Sequence, residues 1–96
     1  MGATLNMAAS IDAYTLTDRA TWMSFGNKGN LAILVEGDPR LFNQYGVIAV
    51  NPKRHAHINK DGAEAFVEWI TGPRGQAEIA AFQVNSQQLF FPNATN

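Results

Sequence analysis

Three rhythms of apolar and polar residues run along this chain, and each predicts a different kind of element. Leu5, Ala8 and Ala9 recur at i, i+3 and i+4, with Met7 and Ile11 widening the face, so Thr4 to Asp12 reads as a helix that Thr4 caps. From Tyr14 the period falls to two. Tyr14 and Leu16 alternate with Thr15 and Thr17, as in a half-buried strand. Asp18 suits an N-cap, its carboxylate accepting from the first free N–H groups of a helix that starts at Arg19. The turn formers Gly26-Asn27-Lys28-Gly29-Asn30 end that helix.

The middle of the chain changes character. Leu31 to Val35 and Gln44 to Val50, the latter centred on Val47-Ile48-Ala49-Val50, are apolar without polar alternation. Such runs predict strands covered on both faces by helices. Between them Glu36-Gly37-Asp38-Pro39 predicts a turn, and Arg40 to Asn43 a short turn or bulge. The clearest helix follows. Ala63, Phe66, Val67 and Ile70 share one face, Asp61, Glu64 and Glu68 face away, and Asn59 is its cap. Thr71-Gly72-Pro73 breaks it, and Pro73 opens a further helix through Phe82 in which Ala77, Ala80 and Ala81 permit close packing. The tail has no period. Leu89-Phe90-Phe91-Pro92 needs apolar cover, and Asn93-Ala94-Thr95-Asn96 is expected to fray. The resulting order is helix, strand, helix, strand, strand, helix, helix, tail. It predicts an α/β fold with a short mixed sheet and helices on both faces.

Composition narrows the functional classes. The 96 residues suffice for one small domain, and 46% hydrophobic residues are enough to fold it. Seven basic and eight acidic residues give a net charge of −1, with no basic stripe and hence no nucleic-acid partner expected. No apolar run approaches the roughly 20 residues of a membrane-spanning helix. The absence of cysteine excludes disulfides, thiolate metal sites and thiol nucleophiles. Met1-Gly2-Ala3-Thr4-Leu5-Asn6 lacks the charged and long apolar regions of an export signal. The chain as given is expected not to export itself, being either cytosolic or part of something longer.

Candidate chemistry is sparse. His55 and His57 sit two apart near Asp61, without a third ligand at a recognised spacing, and are expected to be exposed loop residues rather than a metal site. Asp12, Asp18, Glu36 and Asp38 lie near strand ends, but nothing in their spacing makes two of them converge as an acid–base pair. Gly26 to Gly29 and Gly72 to Gly75 lack the lysine and spacing of a phosphate loop, and no Gly-x-Ser-x-Gly elbow is present. No enzyme, metal or cofactor is expected. Asn93-Ala94-Thr95 matches a glycosylation acceptor, which carries no meaning in a bacterial protein. What remains is Tyr14 to Arg19, where threonine hydroxyls, an arginine and a helix start meet in a combination that suits a small anion. On local sequence alone, a plain capped junction is the favoured reading of that stretch.

Taken together, several segments carry a family resemblance. Ala3-Thr4-Leu5-Asn6-Met7-Ala8-Ala9, Tyr14-Thr15-Leu16-Thr17-Asp18-Arg19-Ala20-Thr21-Trp22, the stretch from Leu34 through Gly37-Asp38-Pro39-Arg40 to Val47, and Gln88-Leu89-Phe90-Phe91-Pro92 resemble the C-terminal part of the tungstate-binding TupA family. Trp69-Ile70-Thr71-Gly72-Pro73-Arg74-Gly75-Gln76 is similar to a helix–proline–helix element of type II periplasmic binding proteins. The resemblance spans essentially all of residues 1–96. It implies a single C-terminal segment of a two-lobe periplasmic-binding-protein-like domain, and so a partial fold of that kind. The implied function is part of the substrate-binding protein of an ABC importer for an oxyanion, tungstate first and molybdate second. A membrane permease would be the partner, and the full-length protein would be periplasmic or extracellular and membrane-anchored.

By the same resemblance the junction in related molybdate-binding proteins lies beside the ligand. This implies that Tyr14, Thr15 and Thr17 face the cleft and that Arg19 adds charge, with Asp18 turned into its own helix. The family's Thr-Thr-Ser and Arg-Gly-Asp motifs have no counterpart here, so the isolated chain is expected to bind weakly or not at all. The alternative is a cytosolic anion-sensing or regulatory domain of similar fold; an enzyme acting on an oxyanion ester is the least favoured reading. A chain with covered-type strands but little sheet is also expected to associate as a homodimer or larger assembly.

Overall fold

A computed structural model describes residues 1–94 of the chain. Among the described residues, four α-helices and one small sheet form. In chain order they are α1 (Gly2–Ile11), α2 (Arg19–Ser24), α3 (Lys60–Thr71), α4 (Pro73–Ala81), β1 (Gln83–Val84) and β2 (Gln87–Gln88). A 3₁₀ turn spans Pro39–Leu41. Helices with a small sheet make this a partial α/β arrangement. The chain divides into two compact units, Met1–Gln44 with Gln83–Leu89, and Tyr45–Phe82 with the tail from Phe90.

The first unit buries Leu5 and Ala8, the i and i+3 positions of α1, together with Leu89. Leu5 is 1% exposed, so the helical period of the sequence identifies the inner face. Met7 and Ile11 do not widen that face; both stand exposed. Thr4 is not the cap either, because the helix already runs from Gly2 with Met1 at the N-cap position. Asp12 closes α1 in the left-handed region at φ 53°, where a short polar side chain is tolerated, and the N–H groups of Asp12 and Ala13 both reach the Ala8 carbonyl. The loop after α2 returns to α1, with Asn27 Nδ2 donating to Asn6 Oδ1 at 3.1 Å.

In the second unit α3 packs against α4. Asn59 caps α3 as expected, its Oδ1 accepting from the Gly62 N–H at 2.9 Å. Pro73 occupies the first turn of α4, where its missing N–H costs nothing. Gln76 ties three parts of this unit together. Its Nε2 donates to the Ile70 carbonyl at 2.7 Å, and its Oε1 accepts from the Ala94 N–H at 3.0 Å. The tail is therefore held as far as Ala94; Thr95 and Asn96 lie outside the described residues. Phe90 packs edge-on to Tyr45 (5.7 Å between centroids) and tilted against Phe82 (6.4 Å). Phe91, by contrast, is exposed, so only part of the apolar tail finds cover.

The strands differ most from expectation. Tyr14–Thr17, Leu31–Val35 and Gln44–Val50 form no ladder among the described residues. The physical reason is that a ladder needs a neighbouring strand in register, and among the described residues none is paired with these stretches. The one sheet is a hairpin that the aperiodic tail did not disclose. β1 and β2 pair antiparallel, Gln83 opposite Gln88 and Val84 opposite Gln87. Asn85 and Ser86 both take positive φ, 52° and 63°, the geometry of a two-residue hairpin turn.

One glycine sets the approach of α4 to α3. Gly75 is buried, and a Cβ there would lie 2.6 Å from the Ile70 Cα and closer still to the Trp69 carbonyl oxygen. Those are backbone atoms that cannot turn aside. Gly75→Ala is therefore expected to destabilise the chain by about 1–3 kcal/mol despite alanine's better helix propensity, read as an earlier urea midpoint.

Candidate functional site

Residues 14 to 18 belong to no helix or strand, the Asp18 backbone is extended, and α2 begins at Arg19. The side chains fall into two groups. Tyr14 is 90% exposed and Thr15 is exposed, so both hydroxyls stand in open solvent with donor capacity available. Thr17 and Arg19 are half-buried and engaged with the protein. Thr17 Oγ1 donates to the Asp18 carbonyl at 3.2 Å. Arg19 Nε donates to the Gln88 carbonyl on β2 at 2.9 Å, and its Nη1 lies 3.8 Å from Glu36 Oε2.

Arg19 is thus a tie between α2 and the hairpin as well as a cation. Its charge is shared with Glu36, so it presents an anion with less than a full unit of positive field. The partners Gln88 and Glu36 are distant in sequence, 69 and 17 positions away, and no local pattern announced them.

Asp18 holds the N-cap position of α2 with suitable backbone angles (φ −79°, ψ 158°), and its carbonyl accepts from the Trp22 N–H at 3.2 Å. Contrary to expectation, its carboxylate makes no capping bond to the helix. Oδ1 is shielded from solvent without a hydrogen-bond partner among the described residues. The Asp18 N–H instead meets Met1 Sδ at 3.3 Å. An occluded acceptor of this kind costs stability, and a carboxylate beside an anion would also repel it. At the far end of α2, Lys28 Nζ donates to the Phe25 carbonyl and lies 5.0 Å above the Trp22 ring.

The other candidates do not assemble into chemistry. His55 and His57 are exposed loop residues with ring centroids 6.2 Å apart, and no three metal-ligating side chains cluster among the described residues. Asp38 is a turn residue. Its carboxylate accepts from Arg40 Nη2 at 2.7 Å and from the Arg40 N–H at 2.8 Å, capping the 3₁₀ turn. The Arg40 guanidinium, helped by that backbone N–H, holds the Asp38 carboxyl below its usual range. A pKa lowered by folding favours the turn at neutral pH and loses that support as acid protonates Asp38.

Residues 1–74 match the family described as the PBP superfamily domain. The tungstate-binding protein TupA of Peptoclostridium acidaminophilum is 46% identical over 96 residues, covering 98% of this chain and 34% of that protein. The tungstate-binding protein TupA of Campylobacter jejuni is 36% identical over 98 residues, covering 98% of this chain and 36% of that protein. The chain thus spans about a third of the length of the curated relatives it matches. No solved structure matches it.

The Arg19 tie makes a local prediction. Arg19→Met keeps the apolar stem but removes the bond to Gln88. Partly solvated as it is, that bond is expected to contribute about 1 kcal/mol. The loss should appear as amide shifts concentrated in Gln83–Gln88; shifts confined to α2 would contradict the tie.

Proposed function

This chain belongs to the PBP superfamily domain family, and we propose that it supplies one wall of an oxyanion-binding cleft in an ABC importer's substrate-binding protein. Tungstate is the proposed anion, with molybdate as the chemically closest competitor. The observation that carries the reading is identity of 46% and 36% to two tungstate-binding proteins across nearly the whole chain. In this reading residues 1–96 are the C-terminal segment of a two-lobe domain, acting as a binding module without turnover. The working protein sits periplasmically or extracellularly and delivers its anion to a membrane permease.

Tyr14, Thr15, Thr17 and Arg19 are the residues we assign to the anion. Tungstate is a dianion whose oxygens only accept, so a site must converge O–H and N–H donors on it. Tyr14 and Thr15 present such donors to solvent. Thr17 must release the Asp18 carbonyl before its hydroxyl can turn outward. Arg19 contributes positive charge, which it shares with Glu36. Two exposed hydroxyls and one shared cation are too few to hold a dianion in water, so the 96 residues alone are expected to bind weakly or not at all.

The test is calorimetry on two samples. The isolated chain should give no submicromolar tungstate binding. A chimera carrying these residues in place of the matched third of the Peptoclostridium acidaminophilum protein should bind tungstate. In that chimera Thr15→Val and Arg19→Met should each weaken binding about tenfold or more, the loss expected for a charge-assisted hydrogen bond. Unchanged affinity in both variants would remove the junction from the site, and a folded chimera blind to tungstate would remove the function.

A further inference from the structure

The oxyanion reading leaves an imbalance of charge at the junction. Arg19 is the one basic residue of positions 14 to 19, and the neighbouring Asp18 is a carboxylate. A second carboxylate comes from the turn after Val35, with Glu36 Oε2 3.8 Å from Arg19 Nη1. An anion arriving at Arg19 therefore meets a cation that already has an anion beside it, and like charges repel. The other acidic group of that turn is engaged elsewhere, since Asp38 pairs with Arg40 at 2.7 Å. Lys28, the next cation along the chain, is directed at the Phe25 carbonyl and the Trp22 ring.

The two members of the Arg19–Glu36 pair are held differently. The arginine side chain is 34% exposed, and its Nε is fastened to the Gln88 carbonyl at 2.9 Å. The glutamate side chain is 67% exposed. The segment before it, Leu31–Val35, joins no ladder among the described residues. The residue after it, Gly37, sits at φ 77°, a region that glycine enters at little cost. An ion pair at 3.8 Å between partly solvated groups is weak, so the carboxylate can leave while the guanidinium stays on the hairpin.

We propose that Glu36 is an internal competitor for the oxyanion: it occupies the Arg19 guanidinium while no anion is bound and is displaced when one binds. This rests on the assignment of Arg19 to the anion made above. A tethered competitor lowers the apparent affinity by the fraction of time the site stands open. Exposed ion pairs favour their closed form by about one- to fivefold, so Glu36 should weaken tungstate binding by about two- to sixfold. It does so on arrival. The anion waits for the carboxylate to leave, which slows association, whereas dissociation of the bound anion is untouched. The same factor applies to any anion, so Glu36 sets affinity rather than selectivity.

Calorimetry and stopped-flow binding of tungstate to the chimera test this. Glu36→Gln keeps the shape of an exposed side chain and removes its charge. It should tighten binding by about two- to sixfold, with the gain in the association rate constant. In the Arg19→Met background Glu36→Gln should change nothing, because no guanidinium is left to compete for. Unchanged or weaker binding in Glu36→Gln would overturn the proposal. So would a gain confined to the dissociation rate constant, or the same gain in the absence of Arg19. Each of those results, in a chimera that binds tungstate, removes the competitor and leaves the oxyanion reading standing. A folded chimera blind to tungstate removes both.

Discussion

A helix closes its backbone hydrogen bonds within its own residues; a strand cannot. That difference governs this chain. α1, α3 and α4 each need only a local period and a terminus, and each forms close to where its residues predict it. Leu31–Val35 and Gln44–Val50 have the composition of interior strands and remain unladdered, because their hydrogen bonds require a second segment at the right distance. Among the described residues the ladder belongs to Gln83–Gln88, where a two-residue turn brings the partner strand with it.

The same constraint shapes the candidate site. Tyr14 to Thr17 joins no ladder among the described residues, so its hydroxyls are presented by a backbone that the sheet does not hold. What does hold the junction is Arg19, which fastens the start of α2 to the hairpin through the Gln88 carbonyl. A residue chosen for its charge thereby acts first as a tie, and its remaining field is tempered by Glu36. Preorganised donors are what an oxyanion site requires. The junction supplies some of the donors and little of the preorganisation.

Legibility followed the range of the interactions. Leu5 and Ala8 as the buried face of α1, Asn59 as the cap of α3, Pro73 as the opening of α4 and Asp38 as a turn residue were all readable, since each depends on neighbours within four positions. Thr4 failed as a cap because the helix continued past it to Gly2, and Asp18 failed because a suitable side chain at the right position need not form the capping bond. The hairpin was missed because Asn85-Ser86 is a quieter turn signal than one containing glycine. Arg19's bond to Gln88 was out of reach of any local pattern. The family likeness was legible from longer motifs, and the comparisons support it over residues 1–74 and beyond.

Amide hydrogen exchange on the 96-residue chain, followed residue by residue at high and low protein concentration, most directly tests whether helices here are self-sufficient and strands are not. Amides in α3 should be protected at both concentrations, whereas those of residues 32–35 and 46–50 should exchange freely when dilute. Equal protection of both strand segments at high dilution would contradict this, because it would mean that a single copy already pairs them.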